Sequence, residues 1–101
     1  MGVIVITGGS RGIGASTAEL CARQGHGVIL TYNRNPEAAQ AVVQRIEAAG
    51  GKAVALALDV ATVSTFAVFR EAVTRVLHTI WGVTSLSGLV NNAGYGLFNP
   101  L

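Results

Sequence analysis

"VIVITGGSRGIG", residues 3–14, joins an apolar run to a glycine-rich one. Val3–Thr7 is β-branched throughout, as in a strand buried on both faces. From Gly12 the period changes. Ile13, Thr17, Leu20, Cys21 and Gln24 recur at helical spacing and form the expected inward stripe, with Gly25 as a stop signal. Between strand and helix the glycines at 8, 12 and 14 read G-x-x-x-G-x-G, not the commoner G-x-G-x-x-G. A strand that passes through a glycine turn straight into a helix is the context in which such a motif carries meaning.

Working outward, the same alternation continues. Val28–Thr31 is a second apolar run, and Asn35-Pro36 opens a second helix. Its expected inward stripe is Ala38, Ala41, Val42, Arg45, Ile46 and Ala49, ended by Gly50-Gly51. Ala53–Leu58 reads as a third strand. Thr62 or Ser64 caps a third helix faced by Phe66, Phe69, Val73, Val76, Leu77 and Ile80. A polar loop from Gly82 leads into a fourth strand, Gly88–Val90, followed by "NNAG" at 91–94. Strands alternating with helices of this length predict an α/β fold with a parallel sheet. The order βαβαβαβ is about half of a doubly wound sheet of Rossmann type, with strand order 3-2-1-4. No repeat, linker or low-complexity segment interrupts it.

Composition narrows the function. The 101 residues make one small domain. Only 12% are charged, where about 25% is usual, so an unusual share of the surface is apolar or awaits a cover. The net charge is +2 and the arginines are scattered singly, without an aromatic ladder, which argues against nucleic acid. One cysteine, Cys21, excludes an internal disulfide and suits a reducing compartment. No leader-like pattern and no long apolar run is present, so a cytoplasmic, non-membrane protein is expected. His26 and His78 lack partners for a metal and are expected at the surface or at helix ends. Cys21 is expected in the core, and Trp81 as an anchor for the third helix.

The helix that opens at Gly12 offers unpaired N–H groups and a positive dipole end, which suit a pyrophosphate. The glycines then either admit a ligand to the backbone or only make a tight β-to-α turn. A fold that prefers NAD places an acid about 20 residues on, to bind the ribose 2′-OH. Here that place reads Thr31-Tyr32-Asn33-Arg34, with no carboxylate. Arg34, with Arg11 inside the glycine turn, either clamps a 2′-phosphate, which favours NADP, or is a solvated surface group. Asp59, the only aspartate, ends the third strand and either accepts from an adenine amino group or caps the third helix. Asn91 and Asn92 end the fourth strand at the same edge, to bond ribose or to tie strands together.

Taken together, "TGGSRGIG" at 7–14, "LDV" at 58–60 and "NNAG" at 91–94 resemble the short-chain dehydrogenase/reductase family, classical type, in order and over the whole chain. The resemblance implies a three-layer α/β/α fold when complete. Gly8, Ser10, Arg11, Gly12, Ile13 and Gly14 would wrap the cofactor phosphates. Arg11, and Arg34 beside Asn33, would select NADP. Asp59 would meet the adenine with Val60 flanking it, and Asn91, Ala93 and Gly94 would stabilise the sheet and line the ribose. "YNRNPEAA" at 32–39 is similar to NADP-preferring, 3-oxoacyl-reductase-like members. Ser87 departs from the family, where many members carry an aspartate, and no function attaches to it. A carbonyl or alcohol substrate and a homo-oligomer, dimer or tetramer, are implied for the complete enzyme.

Family chemistry needs a tyrosine with a lysine four residues on, which shares its helix face and tunes its pKa, plus a serine and an asparagine. The chain has no such pair: Tyr32 is followed four on by Pro36 and Tyr95 by Asn99, and Lys52 is preceded four back by Ala48. The expectation is therefore an NAD(P)-binding domain over 1–101, the cofactor part of a longer NADP-dependent oxidoreductase truncated after the fourth strand, inactive alone and without catalytic residues of its own. The alternatives are a non-catalytic dinucleotide-binding module and a mononucleotide or flavin binder. Tyr95 and Phe98 would touch substrate or nicotinamide, or pack the loop.

Overall fold

A computed structural model describes residues 2–8, 12–58 and 64–91. The element order is β1 (Val3–Thr7), α1 (Gly12–Arg23), β2 (Gly27–Tyr32), α2 (Pro36–Ala48), β3 (Ala53–Ala57), α3 (Ser64–Val76), a π-helical turn (Leu77–Trp81) and β4 (Gly88–Asn91). The four strands form one parallel sheet in the order β3-β2-β1-β4, as expected from the sequence.

Successive residues of a strand point to opposite faces, and here both faces are covered. Ile6, Val28 and Leu30 pack against Ala15 and Ala18 of α1 and against Ala39, Val42, Val43 and Ile46 of α2. On the other face Val3, Val5 and Ile29 pack against Val73 of α3 and Leu77 of the π turn. Two buried faces explain why β1 and β2 read as continuous apolar runs instead of alternating ones. The result is three layers, with the sheet between α1 and α2 on one side and α3 on the other.

Two inward stripes differ from the periodic reading. In α1 the buried residues are Gly14, Ala15 and Ala18, while Ile13 is 77% and Leu20 51% exposed. Small side chains face the sheet, so the two largest aliphatics on this helix turn outward. Cys21 is half-buried against the core, in keeping with its expected place. In α2 the stripe is Ala39, Val42, Val43 and Ile46; Arg45 is exposed and pairs with Glu19 of α1.

Local signals set the ends. Asn35 caps α2, its Oδ1 accepting from the Ala38 N–H at 3.0 Å, and Pro36 occupies the first turn. The π turn carries Trp81 across the sheet onto Gly27, where a Cβ would lie 2.4 Å from the indole Nε1. Trp81 is thus the anchor expected at this end. His78 is exposed, as expected. His26 is only half-exposed, and its Nδ1 is buried with no hydrogen-bond partner among the described residues.

Candidate functional site: the carboxyl edge of the sheet

Because all four strands are parallel, their carboxyl ends share one edge. The chain runs outward from β1 to β2 to β3 on one side, then crosses back to lay β4 on the other side of β1. That reversal between β1 and β4 opens the crevice in which open α/β sheets bind ligands. Gly8 leaves β1 at this edge, Asn33 and Arg34 leave β2, and Asn91 ends β4 beside Thr7.

The glycine turn has the backbone its composition requires. Gly8 has φ +68° and Gly12 φ +62°, both in the left-handed region that a Cβ disfavours. Gly12 is also the first residue of α1, and a Cβ placed there would meet no atom of the described residues within 4 Å. Gly12 thus stands at the helix end whose first N–H groups have no intrahelical partner. Gly14 is buried, so the helix start lies close on the sheet, while Ile13 projects away from it.

Two threonines bind this edge together. The Thr7 hydroxyl donates to the Val90 carbonyl at 3.4 Å, tying the end of β1 to the end of β4. The Gly8 N–H donates to the Thr31 Oγ1 at 2.9 Å, tying the glycine turn to β2. Composition and motif spacing did not single out either hydroxyl. A usable signal existed: each is the polar residue closing an apolar strand, and a buried hydroxyl needs a partner.

At the end of β2, Asn33 and Arg34 are exposed and no carboxylate lies between Thr31 and Pro36. Among the described residues, the exposed Arg34 and the N-terminal end of α1 at Gly12 share this edge. Ser10, Arg11, Asp59, Val60, Asn92, Ala93, Gly94, Tyr95 and Phe98 lie outside the described residues, as does Thr62. A shallow cavity lined by Glu19, Arg23, Arg45 and Ile46 lies between the C-terminal ends of α1 and α2. Those helix ends precede β2 and β3, so it sits at the opposite edge. Among the described residues no group of three or more His, Cys, Asp or Glu is placed to hold a metal ion. Among them, too, no helix is long and apolar enough to cross a membrane.

Comparison with known proteins agrees with this geometry. A family model described as short chain dehydrogenase matches residues 2–101. The chain is 40% identical over 94 residues to the uncharacterized oxidoreductase YgfF of Escherichia coli K12, covering 93% of this chain and 36% of that one. A short chain dehydrogenase from Burkholderia cenocepacia J2315, solved in complex with NADP, has 47% identity and a TM-score of 0.74 over 90% of this chain and 35% of its own. The landomycin C-6 ketoreductase LanV, solved with bound NADP and rabelomycin, has 36% identity and a TM-score of 0.87 over 91% and 38%. This chain spans about a third of the length of the curated relatives it matches. With sheet order, glycine turn and family model in agreement, the chain belongs to the short-chain dehydrogenase family.

Proposed function

We propose that this chain is the NADP(H)-binding part of a short-chain oxidoreductase that interconverts a carbonyl and an alcohol. The observation that carries this is the glycine turn at the β1/β4 crevice, with Gly8 and Gly12 at positive φ and an exposed Arg34, with no acid, at the end of β2. When bound, the nicotinamide supplies the hydride. Gly8, Ser10, Gly12, Ile13 and Gly14 wrap the diphosphate, with backbone N–H groups at the start of α1 as donors and the Gly8 N–H kept by Thr31. Arg11 and Arg34, with Asn33 beside it, hold the 2′-phosphate. Asp59 and Val60 frame the adenine, and Asn91, Ala93 and Gly94 line the ribose.

No Tyr-x-x-x-Lys pair exists among these 101 residues, so proton transfer to the substrate needs groups from elsewhere, and the chain alone is inactive. The names of the NADP-bound relatives, a ketoreductase among them, support a carbonyl substrate. Resemblance in "YNRNPEAA" narrows it to the 3-oxoacyl-reductase-like subtype, working in the cytoplasm as a homo-oligomer when complete.

Fluorescence titration with NADPH and NADH tests the cofactor assignment. Charge-assisted bonds to a 2′-phosphate contribute about 1.5–3 kcal/mol, so NADPH is expected to bind about 10- to 150-fold tighter. Arg34→Ala removes most of that preference. Equal affinities, or tighter NADH binding, would remove the roles of Arg11 and Arg34.

A further inference from the structure

We propose that Thr31 is a positioning residue for the glycine turn, its hydroxyl oxygen fixing the Gly8 N–H and with it the backbone that, on the cofactor reading above, faces the diphosphate. Thr31 is only 2% exposed and follows Val28, Ile29 and Leu30, all fully buried. An isosteric valine would suit such a strand better, since it packs equally well and buries no hydroxyl. The fold of β2 therefore gives no reason for an oxygen at this position.

The reason lies across the sheet edge. The Thr31 Oγ1 accepts the Gly8 N–H at 2.9 Å, a contact between residues 23 apart in sequence. Gly8 is where the chain leaves β1, at φ +68°. A glycine turn has more conformational freedom to lose than any other backbone, so a fixed acceptor at its first residue selects one course for it. Two and three residues past Thr31, just beyond the end of β2, come Asn33 and Arg34, the groups assigned to the 2′-phosphate. Thr31 thus joins the two places where the cofactor's charge is read, and it sets the distance between them.

This arrangement separates two kinds of ligand. Adenosine 2′-monophosphate has the 2′-phosphate and lacks the diphosphate; NADPH has both. Thr31→Val is expected to weaken NADPH about tenfold, as for a part-buried N–H that loses this acceptor, and to leave adenosine 2′-monophosphate within about twofold. Thr31→Ser keeps the oxygen and binds NADPH close to the wild type. By NMR without ligand, the Gly8 amide of the wild type is protected from hydrogen exchange, and Thr31→Val speeds that exchange about tenfold or more.

An unprotected Gly8 amide in the wild type overturns the assignment without any variant. So does an exchange rate unchanged by Thr31→Val, an equal loss of both ligands, or a Thr31→Ser protein as impaired as Thr31→Val. A wild-type protein that binds no NADPH, yet whose Gly8 exchange depends on Thr31, overturns the cofactor reading instead, and with it the diphosphate half of this role.

Discussion

Gly12→Ala separates the two demands that the glycine turn places on its backbone. Gly12 opens α1 at φ +62°, and a Cβ there meets no atom of the described residues within 4 Å. The folding cost is therefore conformational and not steric, about 1–2 kcal/mol for an alanine held in the left-handed region. For a domain of this size that lowers Tm by roughly 4–16 °C. Gly82 supplies a matched control. It caps the π turn at φ +68°, its Cβ direction likewise meets none of the described residues within 4 Å, and it lies at the opposite edge of the sheet, ahead of β4. Gly82→Ala should cost the same stability. Only Gly12→Ala puts a methyl group into the open space assigned to the diphosphate, so only it should weaken NADPH, by about tenfold or more. The assays are urea denaturation followed by circular dichroism, and NADPH titration at a temperature where all three proteins are folded. Equal loss of NADPH affinity in both variants would reduce the effect to stability. Wild-type affinity in Gly12→Ala would remove the cradle altogether.

Three other substitutions test the caps and packing around the sheet. Asn35→Ala removes the acceptor for the Ala38 N–H and should cost about 1 kcal/mol by denaturant titration, whereas Asn35→Asp keeps the cap. Glu19→Gln breaks the 2.8 Å pair with Arg45, whose side chains are 31% and 54% exposed, and should cost less than about 1 kcal/mol, fading in high salt; a larger, salt-independent loss would contradict the exposure. Gly27→Ala drives a methyl group into the Trp81 indole and should cost about 1–3 kcal/mol. In a Trp81→Ala background most of that penalty should vanish, and an unchanged penalty would mean that the two residues do not touch.

Element order and sheet topology were legible because strand burial and helix punctuation act locally. The run Val3–Thr7 matches β1 at both ends, and Asn35-Pro36 marks the start of α2 as expected. The burial face of α1 was not legible, for a physical reason. Hydrophobic periodicity weights large side chains, so it selected Ile13 and Leu20. A helix lying close over a parallel sheet is limited by space, and it buries Gly14, Ala15 and Ala18 instead. The third helix was read more accurately: Phe69, Val73, Val76 and Leu77 do face the sheet. For these residues size and burial agree, although Val68 on the same helix is 68% exposed. Its end was not foreseen. Ile80 of the expected stripe is 40% exposed, because the last turn widens to a π turn that delivers Trp81 to Gly27.

The site shows the same division between motif and support. Gly8, Gly12, Gly14, Asn33 and Arg34 were all named from spacing, and the parallel sheet brings their segments to one edge. Spacing has no means of finding what holds that edge in shape. A segment with four glycines in seven residues, Gly8 to Gly14, is costly to order. A phosphate site that must be ordered anew for each ligand loses affinity to that cost. The two buried threonines offset it from the protein's side. Thr7 reaches β4 at Val90 and Thr31 reaches the turn at Gly8, so the ends of β1, β2 and β4 are linked through side chains as well as by the ladder. Both are polar residues at the last or next-to-last position of an apolar strand. In this fold a threonine there is more than a β-branched residue that tolerates burial. Its hydroxyl is the only part that valine lacks, and at both positions that hydroxyl bonds the backbone of a neighbouring segment at the ligand edge.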